Sequence, residues 1–376
     1  MIRTAEAVIV GGGAIGCSVA YHLAVRGVRV LLLEADRLGC GSSGALAGML
    51  SGQGELEPPG ALLDLMLLGR ERHRVFSERL REEAGIDPGY VWDGALRTAT
   101  DRASEEFLAR VYSQQREEGL EAEWLTGEEA QSLEPALSER VTAGLYFPKD
   151  GQVNPPQLVK ALAHAAVAYG ASIQEATRVT EFLVESGRVT GVRTVRGEVY
   201  AETVILAGGA FSNLLSEQLG VYLPLYPVKG QMLVSSIWPS PIRANIWGPA
   251  NFYLVPKKDG RLIIGATEEP EVYDRRPTLG GVAELSRAAV GLVPELSGAL
   301  FAGAWGGLRP GAPTGPILGP VEGWEGLLVA TGHFRNGVLL SVVTGEIISA
   351  LVLQESPPVD VSPFLYESHL SKGGRE

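Results

Sequence analysis

Cysteine is nearly absent: Cys17 and Cys40 are the only two in 376 residues, too few for a disulfide framework. No apolar run approaches the roughly 20 residues that a membrane-spanning helix needs. A basic excess is missing too. The net charge is −12, which excludes a nucleic-acid partner, because phosphate binding requires a basic face; an anionic membrane surface is disfavoured for the same reason. The first residues lead almost at once into an apolar strand and carry one early cation, Arg3, so no secretory or transit layout is read there. Internal repeats, charge blocks and low-complexity tracts are also missing. These absences leave the cytoplasm as the expected compartment and give no reason to expect a metal. Hydrophobic residues make up 45% of the chain, enough for a large core, and the length predicts about two domains.

Glycine is abundant, and its placement at the start of the chain is informative. Residues 6–34 read as a strand, a tight glycine turn, a helix and a second strand that ends in a carboxylate. Gly11, Gly13 and Gly16 have the G-x-G-x-x-G spacing. The first permits a sharp turn, the second lets a pyrophosphate approach the backbone, and the third lets helix and strand pack closely. The context is complete: apolar strand Ala7–Val10, helix pattern Ile15–Val25, a stop at Gly27, strand Val28–Leu33, then Glu34. A helix N-terminus offers N–H groups and a positive dipole end to phosphates. Glu34 follows Gly13 by roughly 20 residues, the place of a ribose-binding acid. An acid there favours a free 2′-hydroxyl over a 2′-phosphate, so the ligand is FAD or NAD rather than NADP.

The next segment, Leu38–Leu50, is a loop of small residues leading into apolar ones. Small side chains let backbone approach a flat ligand, and Ser42 and Ser43 are placed to donate to phosphate oxygens. Residues 61–84 form an amphipathic helix whose Arg70, Glu71, Arg72 and Arg74 are assigned to a solvated face. A helical stretch is expected near Ser104–Glu118. Asn154-Pro155-Pro156 caps a helix from Gln157 to Tyr169. Strands are expected at Arg178–Val184, Val189–Val195 and Val199–Leu206, the last running into a second glycine turn at Gly208-Gly209. That turn implies another backbone approach to the same cofactor, which an NAD dehydrogenase does not need. Residues 225–275 read as an antiparallel sheet, with strands Gln231–Ser235, Phe252–Pro256 and Leu262–Ala266.

At this point several motifs stand in order: Ser-Ser-Gly-Ala-Leu-Ala-Gly-Met at 42–49, Pro227-Val228-Lys229-Gly230-Gln231, Tyr253-Leu254-Val255-Pro256, Gly265-Ala266-Thr267, Gly307-Leu308-Arg309-Pro310 and Gly332-His333-Phe334-Arg335-Asn336-Gly337. With the fingerprint, this set resembles the FAD-dependent amine and D-amino-acid oxidases over nearly the whole chain, and most of all the glycine-oxidising branch that serves thiamine thiazole synthesis. The resemblance implies an α/β (α+β) fold: a Rossmann-type FAD-binding domain plus a substrate domain with a large antiparallel sheet, both discontinuous in sequence. The implied division is 1–82, 152–222 and 302–364 for FAD, 83–151 and 223–301 for substrate, and 365–376 as a polar tail. It implies FAD bound without a covalent link, since the family's attached flavins use a cysteine near the arginine motif and none lies there. It also implies a homo-oligomer. The cofactor residues read from the fingerprint and the resemblance together are Gly11, Gly13, Ala14, Ile15, Gly16, Glu34, Ala35, Ser42, Ser43, Ala47, Gly48, Met49, Val179, Gly208, His333, Arg335, Asn336, Gly337, Val338 and Leu339.

An amino-acid substrate brings a carboxylate, and a guanidinium holds it in two parallel hydrogen bonds. The resemblance puts Arg309 in that role, with Tyr253 adding a phenolic bond and Arg335 bordering the substrate. The turn at 332–337 lies between strand Leu327–Ala330 and a helix starting near Val338, and its backbone suits a negatively polarised flavin edge. His333 is read as a structural histidine rather than a base, because hydride transfer from a neutral amine needs positioning. The implied reaction is oxidation of glycine and other small amines (sarcosine, small D-amino acids) to the imine, then 2-oxo acid and ammonia, with oxygen reduced to hydrogen peroxide. Departures from the family pattern are Phe211 for a Trp, Glu268 for an apolar residue and Asn251 for a histidine; they bear on substrate more than on reaction. Competing readings are a sarcosine or broad D-amino-acid oxidase, a dehydrogenase passing electrons to a quinone or protein, a non-catalytic flavin-binding subunit, and an NAD-dependent dehydrogenase.

Overall fold

The computed structural model describes residues 4–236 and 242–370. The apolar run that opens the chain forms strand Thr4–Val10, flanked by parallel neighbours Val30–Leu33 and Gly197–Leu206. These belong to an eight-stranded sheet in the order Ile317–Val321, Trp324–Thr331, Arg188–Thr194, Gly197–Leu206, Thr4–Val10, Val30–Leu33, Ser172–Gln174, with Val179–Glu185 paired beside Arg188–Thr194. Side chains alternate between its two faces. Ala7, Ile9 and Leu32 enter one core with helices Ala14–Val25, Pro155–Ala168 and Ser341–Val352, while Val8, Val10, Leu31 and Leu33 enter the other. Burial on both faces explains why these strands read as continuous apolar runs.

A second, nine-stranded sheet is built around Tyr226–Ser235, which pairs antiparallel with Leu262–Gly265 and with the long strand Phe301–Gly311. Tyr253–Pro256, Asn245–Trp247 and Ala95–Ala99 continue it. Alternation again sorts the side chains. Leu254 and Leu233 face helix Leu279–Leu292, while Tyr253, Val255 and Met232 cluster with Ala47 of the small-residue loop. The catalytic-candidate face of this sheet is therefore the one turned toward the dinucleotide half.

Several elements depart from the sequence reading. The segment Leu38–Leu50 is not all loop: Ser42–Ala45 is a short helix, and Met49–Leu50 pairs with Gly151–Gln152. The helix expected near Val338 begins at Ser341, because residues 334–336 form a 3-10 turn and the Val338 carbonyl accepts from the Ser341 hydroxyl at 2.8 Å. Arg70 does not lie on a solvated face. It is buried and donates to Asp150 Oδ1 at 2.9 Å, where burial pushes the carboxyl up against the pull of the guanidinium. Residues 302–311, grouped in the sequence reading with the FAD pieces, lie in a strand of the second sheet. The side chain of Asn251 and residues 371–376 of the expected tail lie outside the described residues.

Candidate active site

The first glycine turn is shaped by close approaches. Gly11 has φ +115°, and a Cβ there would lie 2.4 Å from the Ala207 carbonyl oxygen; a Cβ on Gly16 would lie 1.9 Å from the Gly11 carbonyl oxygen. The second glycine turn thus rests on the first, with Ala207 N–H donating to Val10 O at 2.9 Å. Gly13 caps helix Ala14–Val25, and Ser43 Oγ accepts from Ala14 N–H at 2.9 Å. Ile15 follows in the first helical turn. Glu34 Oε2 accepts from Gly12 N–H at 2.7 Å and Oε1 from Asp36 N–H at 2.9 Å, which aims the carboxylate across the end of the glycine turn. Ala35 beside it is exposed, and Val179 starts the strand just past Thr177, whose N–H donates to Glu34 O. A narrow glycine cradle, a helix N-terminus and an acid at the second strand fit the phosphates and ribose of FAD.

From this cradle the chain runs through Ser42, whose hydroxyl donates to Leu308 O, to the loop 46–49. Trp305 Nε1 donates to Ala45 O at 3.1 Å. The strand carrying Arg309 is therefore fastened directly to the small-residue loop. Where they meet there is an opening of about 370 Å3, part of it open to solvent. Leu46, Ala47, Gly48, Met49 and Val338 line it, and so do Tyr253, Arg309, Arg335 and Glu55. Thus all three catalytic candidates and five of the cofactor candidates (Arg335 being both) reach one space from four separate stretches of sequence.

Arg309 is 4% exposed, and its Nη1 donates to Thr267 O at 3.1 Å. Among the described residues no carboxylate lies within ion-pair distance of it. A Cβ on Gly230 would stand 2.2 Å from Arg309 Nη2, so the glycine of Pro227–Gln231 leaves the room in which the guanidinium lies. The Tyr253 hydroxyl meets Met232 Sδ at 3.7 Å, and its ring meets Trp247 edge-on with centroids 5.2 Å apart. Burial pushes the phenol up, while the nearby Arg309 pulls the other way. A buried cation beside a buried phenol offers hydrogen-bond donors that a carboxylate can accept from.

Arg335 is held by Glu55 at 3.1 Å and by Glu268 at 3.3 Å. Glu55 escaped the sequence reading. Its turn is fixed from both sides: Asp150 accepts from Gly54 N–H at 2.8 Å, and Arg97 Nε donates to Gly54 O at 2.7 Å while stacking over Trp247. His333 is buried, contacts Thr344 Oγ1 at 3.1 Å, and is pushed down to about 3 by desolvation. Asn336 Nδ2 points at Met66 Sδ, 3.6 Å away. Gly337 leads on to Val338 and the buried Leu339.

Two further supports were not foreseen. His73 Nε2 donates to Val338 O at 2.8 Å, and a Cβ on Gly69 would lie 2.7 Å from Leu339 O. These residues stand four apart on helix Ala61–Ala84, so they share a face; a glycine and a histidine at that spacing were the available signal. Lys257, just past the Tyr253–Pro256 strand, donates from Nζ to Ala47 O, to Gln152 Oε1 at 2.7 Å and to Val153 O at 3.0 Å. Burial pushes its ammonium down to about 7.

The chain is 38% identical to glycine oxidase of Geobacillus kaustophilus over 379 residues, covering all of both chains. The crystal structure of that enzyme superposes with a TM-score of 0.93 over 97% of this chain and 98% of the other. The bifunctional protein ThiO/ThiG of Synechocystis is 34% identical over 97% of this chain, which spans 54% of that longer protein. The profile of the DAO family, FAD dependent oxidoreductases, matches residues 6–351. The chain belongs to this family of FAD-dependent oxidoreductases, and it is an enzyme whose cofactor is FAD.

Proposed function

We propose that this enzyme oxidises glycine, and with it sarcosine and small D-amino acids, to the imine, which hydrolyses to the 2-oxo acid and ammonia (methylamine in the case of sarcosine), and that molecular oxygen is reduced to hydrogen peroxide. One observation carries the reading: a buried Arg309 with no carboxylate partner among the described residues, next to Tyr253, in an opening lined by Ala47–Met49 and Val338. The likeness to glycine oxidases supports the choice of substrate.

Arg309 takes the substrate carboxylate in a fork of two charge-assisted bonds, and Tyr253 adds a third from its hydroxyl. This clamp fixes the amino acid by one end, so that its Cα and amine are presented in one orientation. Bound FAD supplies the acceptor for the hydride. The amine must arrive neutral, and no protein base is required. His333 is desolvated, tied to Thr344 and pushed down to about 3, so it orders the turn instead of moving a proton. Gly13 and Ser43 would hold the pyrophosphate in the turn that Gly11 and Gly16 shape, Glu34 the ribose, and the 332–339 turn the flavin ring.

FAD is held without a covalent bond: Cys17 is buried in the first helix and Cys40 lies in the loop after Glu34. The FAD and substrate parts are each assembled from separated pieces of chain, as the interleaving of the two sheets supports. No described helix is long and apolar enough to cross a membrane; we place the enzyme in the cytoplasm as a homo-oligomer. Likeness to the ThiO/ThiG protein supports a place in thiamine synthesis. Peroxide formation by the FAD-loaded protein with glycine, sarcosine, D-alanine and D-proline tests the reading. Peroxide with glycine at a kcat/KM at or above the others is expected; peroxide with none of them overturns it.

A further inference from the structure

Two guanidiniums reach the same opening, but they keep different company. Arg309 has no carboxylate within ion-pair distance among the described residues, whereas Arg335 has two. Glu55 meets Arg335 Nη2 at 3.1 Å and Glu268 meets Nη1 at 3.3 Å. The two partners differ in freedom. The Glu55 side chain is 8% exposed, and its turn is clamped by Asp150 and Arg97. Glu268 is half exposed at the rim. The sequence Gly265-Ala266-Thr267-Glu268 puts it one residue beyond the carbonyl that receives Arg309, and its carboxylate bears on the opening through Arg335, which lines that space.

We propose that Glu268, with Glu55 behind it, makes this a one-carboxylate site: Arg335 is neutralised twice over, only Arg309 accepts an anion, and amines with a second anionic group are turned away. The proposal rests on the amine-oxidase reading above. A substrate with one carboxylate engages Arg309 and leaves the Arg335 cluster intact. A second carboxylate would have to displace Glu268 from Arg335 or lie beside both glutamates. Like charges at such spacing repel, and more strongly where water is partly excluded. Selection of this kind works through the repelled ligand, not through tighter binding of the accepted one.

Iminodiacetate is a suitable probe, since it is glycine with a second carboxymethyl group on nitrogen. The FAD-loaded enzyme is compared with Glu268→Gln, Glu268→Ala and the charge-retaining Glu268→Asp. The first readout is the ratio of kcat/KM for iminodiacetate to that for glycine. The second is independent of turnover: acetate and malonate are titrated into the oxidised holoenzyme and followed by the flavin spectrum. In Glu268→Gln and Glu268→Ala the ratio should rise about tenfold or more, and malonate should tighten relative to acetate by a similar factor. Glu268→Asp should stay near the parent, and the gain should shrink at high salt. If neither the ratio nor the malonate preference moves in Glu268→Gln and Glu268→Ala, the proposal is overturned while amine oxidation stands. If the parent oxidises no amine, the functional reading falls, and the acetate–malonate titration alone decides whether Glu268 excludes the second charge.

Discussion

Replacing Arg309 by Met should separate function from stability. The guanidinium is buried, donates one hydrogen bond to a backbone carbonyl at 3.1 Å, and has no ion-pair partner among the described residues. A buried cation left to neutral partners, the Thr267 carbonyl and the Tyr253 phenol, costs folding free energy. Methionine fills much of the same volume without that cost. The variant should therefore unfold at the same denaturant midpoint as the parent or at a higher one, because the lost bond of about 1 kcal/mol is offset by the desolvation that is no longer required. Catalysis should behave in the opposite way. A carboxylate loses two charge-assisted bonds, about 4 kcal/mol in a site shielded from water, and kcat/KM for glycine should fall about 10^3-fold, mostly through KM. Arg309→Lys keeps the charge and loses the fork, so it should lie between the two. Steady-state peroxide assays and urea unfolding of the same preparations test the pair of expectations. A fall of less than about tenfold in kcat/KM for Arg309→Met would refute the carboxylate clamp. A large loss of stability would refute the claim that Arg309 is kept for its ligand.

Gly230→Ala puts a Cβ 2.2 Å from Arg309 Nη2; it should raise KM for glycine several-fold or more while the flavin spectrum of the loaded protein is retained, and an unchanged KM would show that the guanidinium does not need that space. Lys257→Met strips donors from Ala47 O, Gln152 Oε1 and Val153 O, which should cost about 3 kcal/mol in urea unfolding and weaken FAD in a fluorescence titration, since Ala47 belongs to the loop at the opening. Acid should destabilise the fold early. His22 and His73 are pushed down to about 4 and His333 to about 3 by burial. Below the ordinary histidine value of about 6.5 the unfolded chain takes up protons that the folded chain refuses, so stability falls with pH from there to about 4, at roughly 1.4 kcal/mol per pH unit for each histidine. A midpoint that does not move between those pH values would count against the three desolvated, neutral rings.

Much of the dinucleotide half was legible from the chain. Its strands alternate or run apolar as a doubly covered sheet requires, and its turns announce themselves through glycines that backbone contacts leave no room to replace. The boundaries of helix Ala61–Ala84 also agree with periodicity. The fate of its charged residues does not follow from periodicity, since Arg70 became buried only because Asp150, some 80 positions away, folds against it. Glu55 was invisible for the same reason. Nothing near it in sequence marks it; its place is set by Asp150 and Arg97 gripping the neighbouring Gly54. Lys257 resembles any lysine at a strand exit until its ammonium is seen among three buried acceptors.

By itself the sequence determined the class of fold and the glycine turn, and it named the acid proposed for the ribose and the residue types of the proposed carboxylate clamp, because each depends on local spacing or on one motif. Tertiary structure decided which charges are available. Arg309 and Arg335 look alike in sequence, one in Gly-Leu-Arg-Pro and the other in Phe-Arg-Asn-Gly. Folding brings two carboxylates to Arg335 and none, among the described residues, to Arg309. Coulomb energy depends on distance through the protein, not along the chain, so the cation that no described carboxylate neutralises becomes apparent only once the two sheets meet.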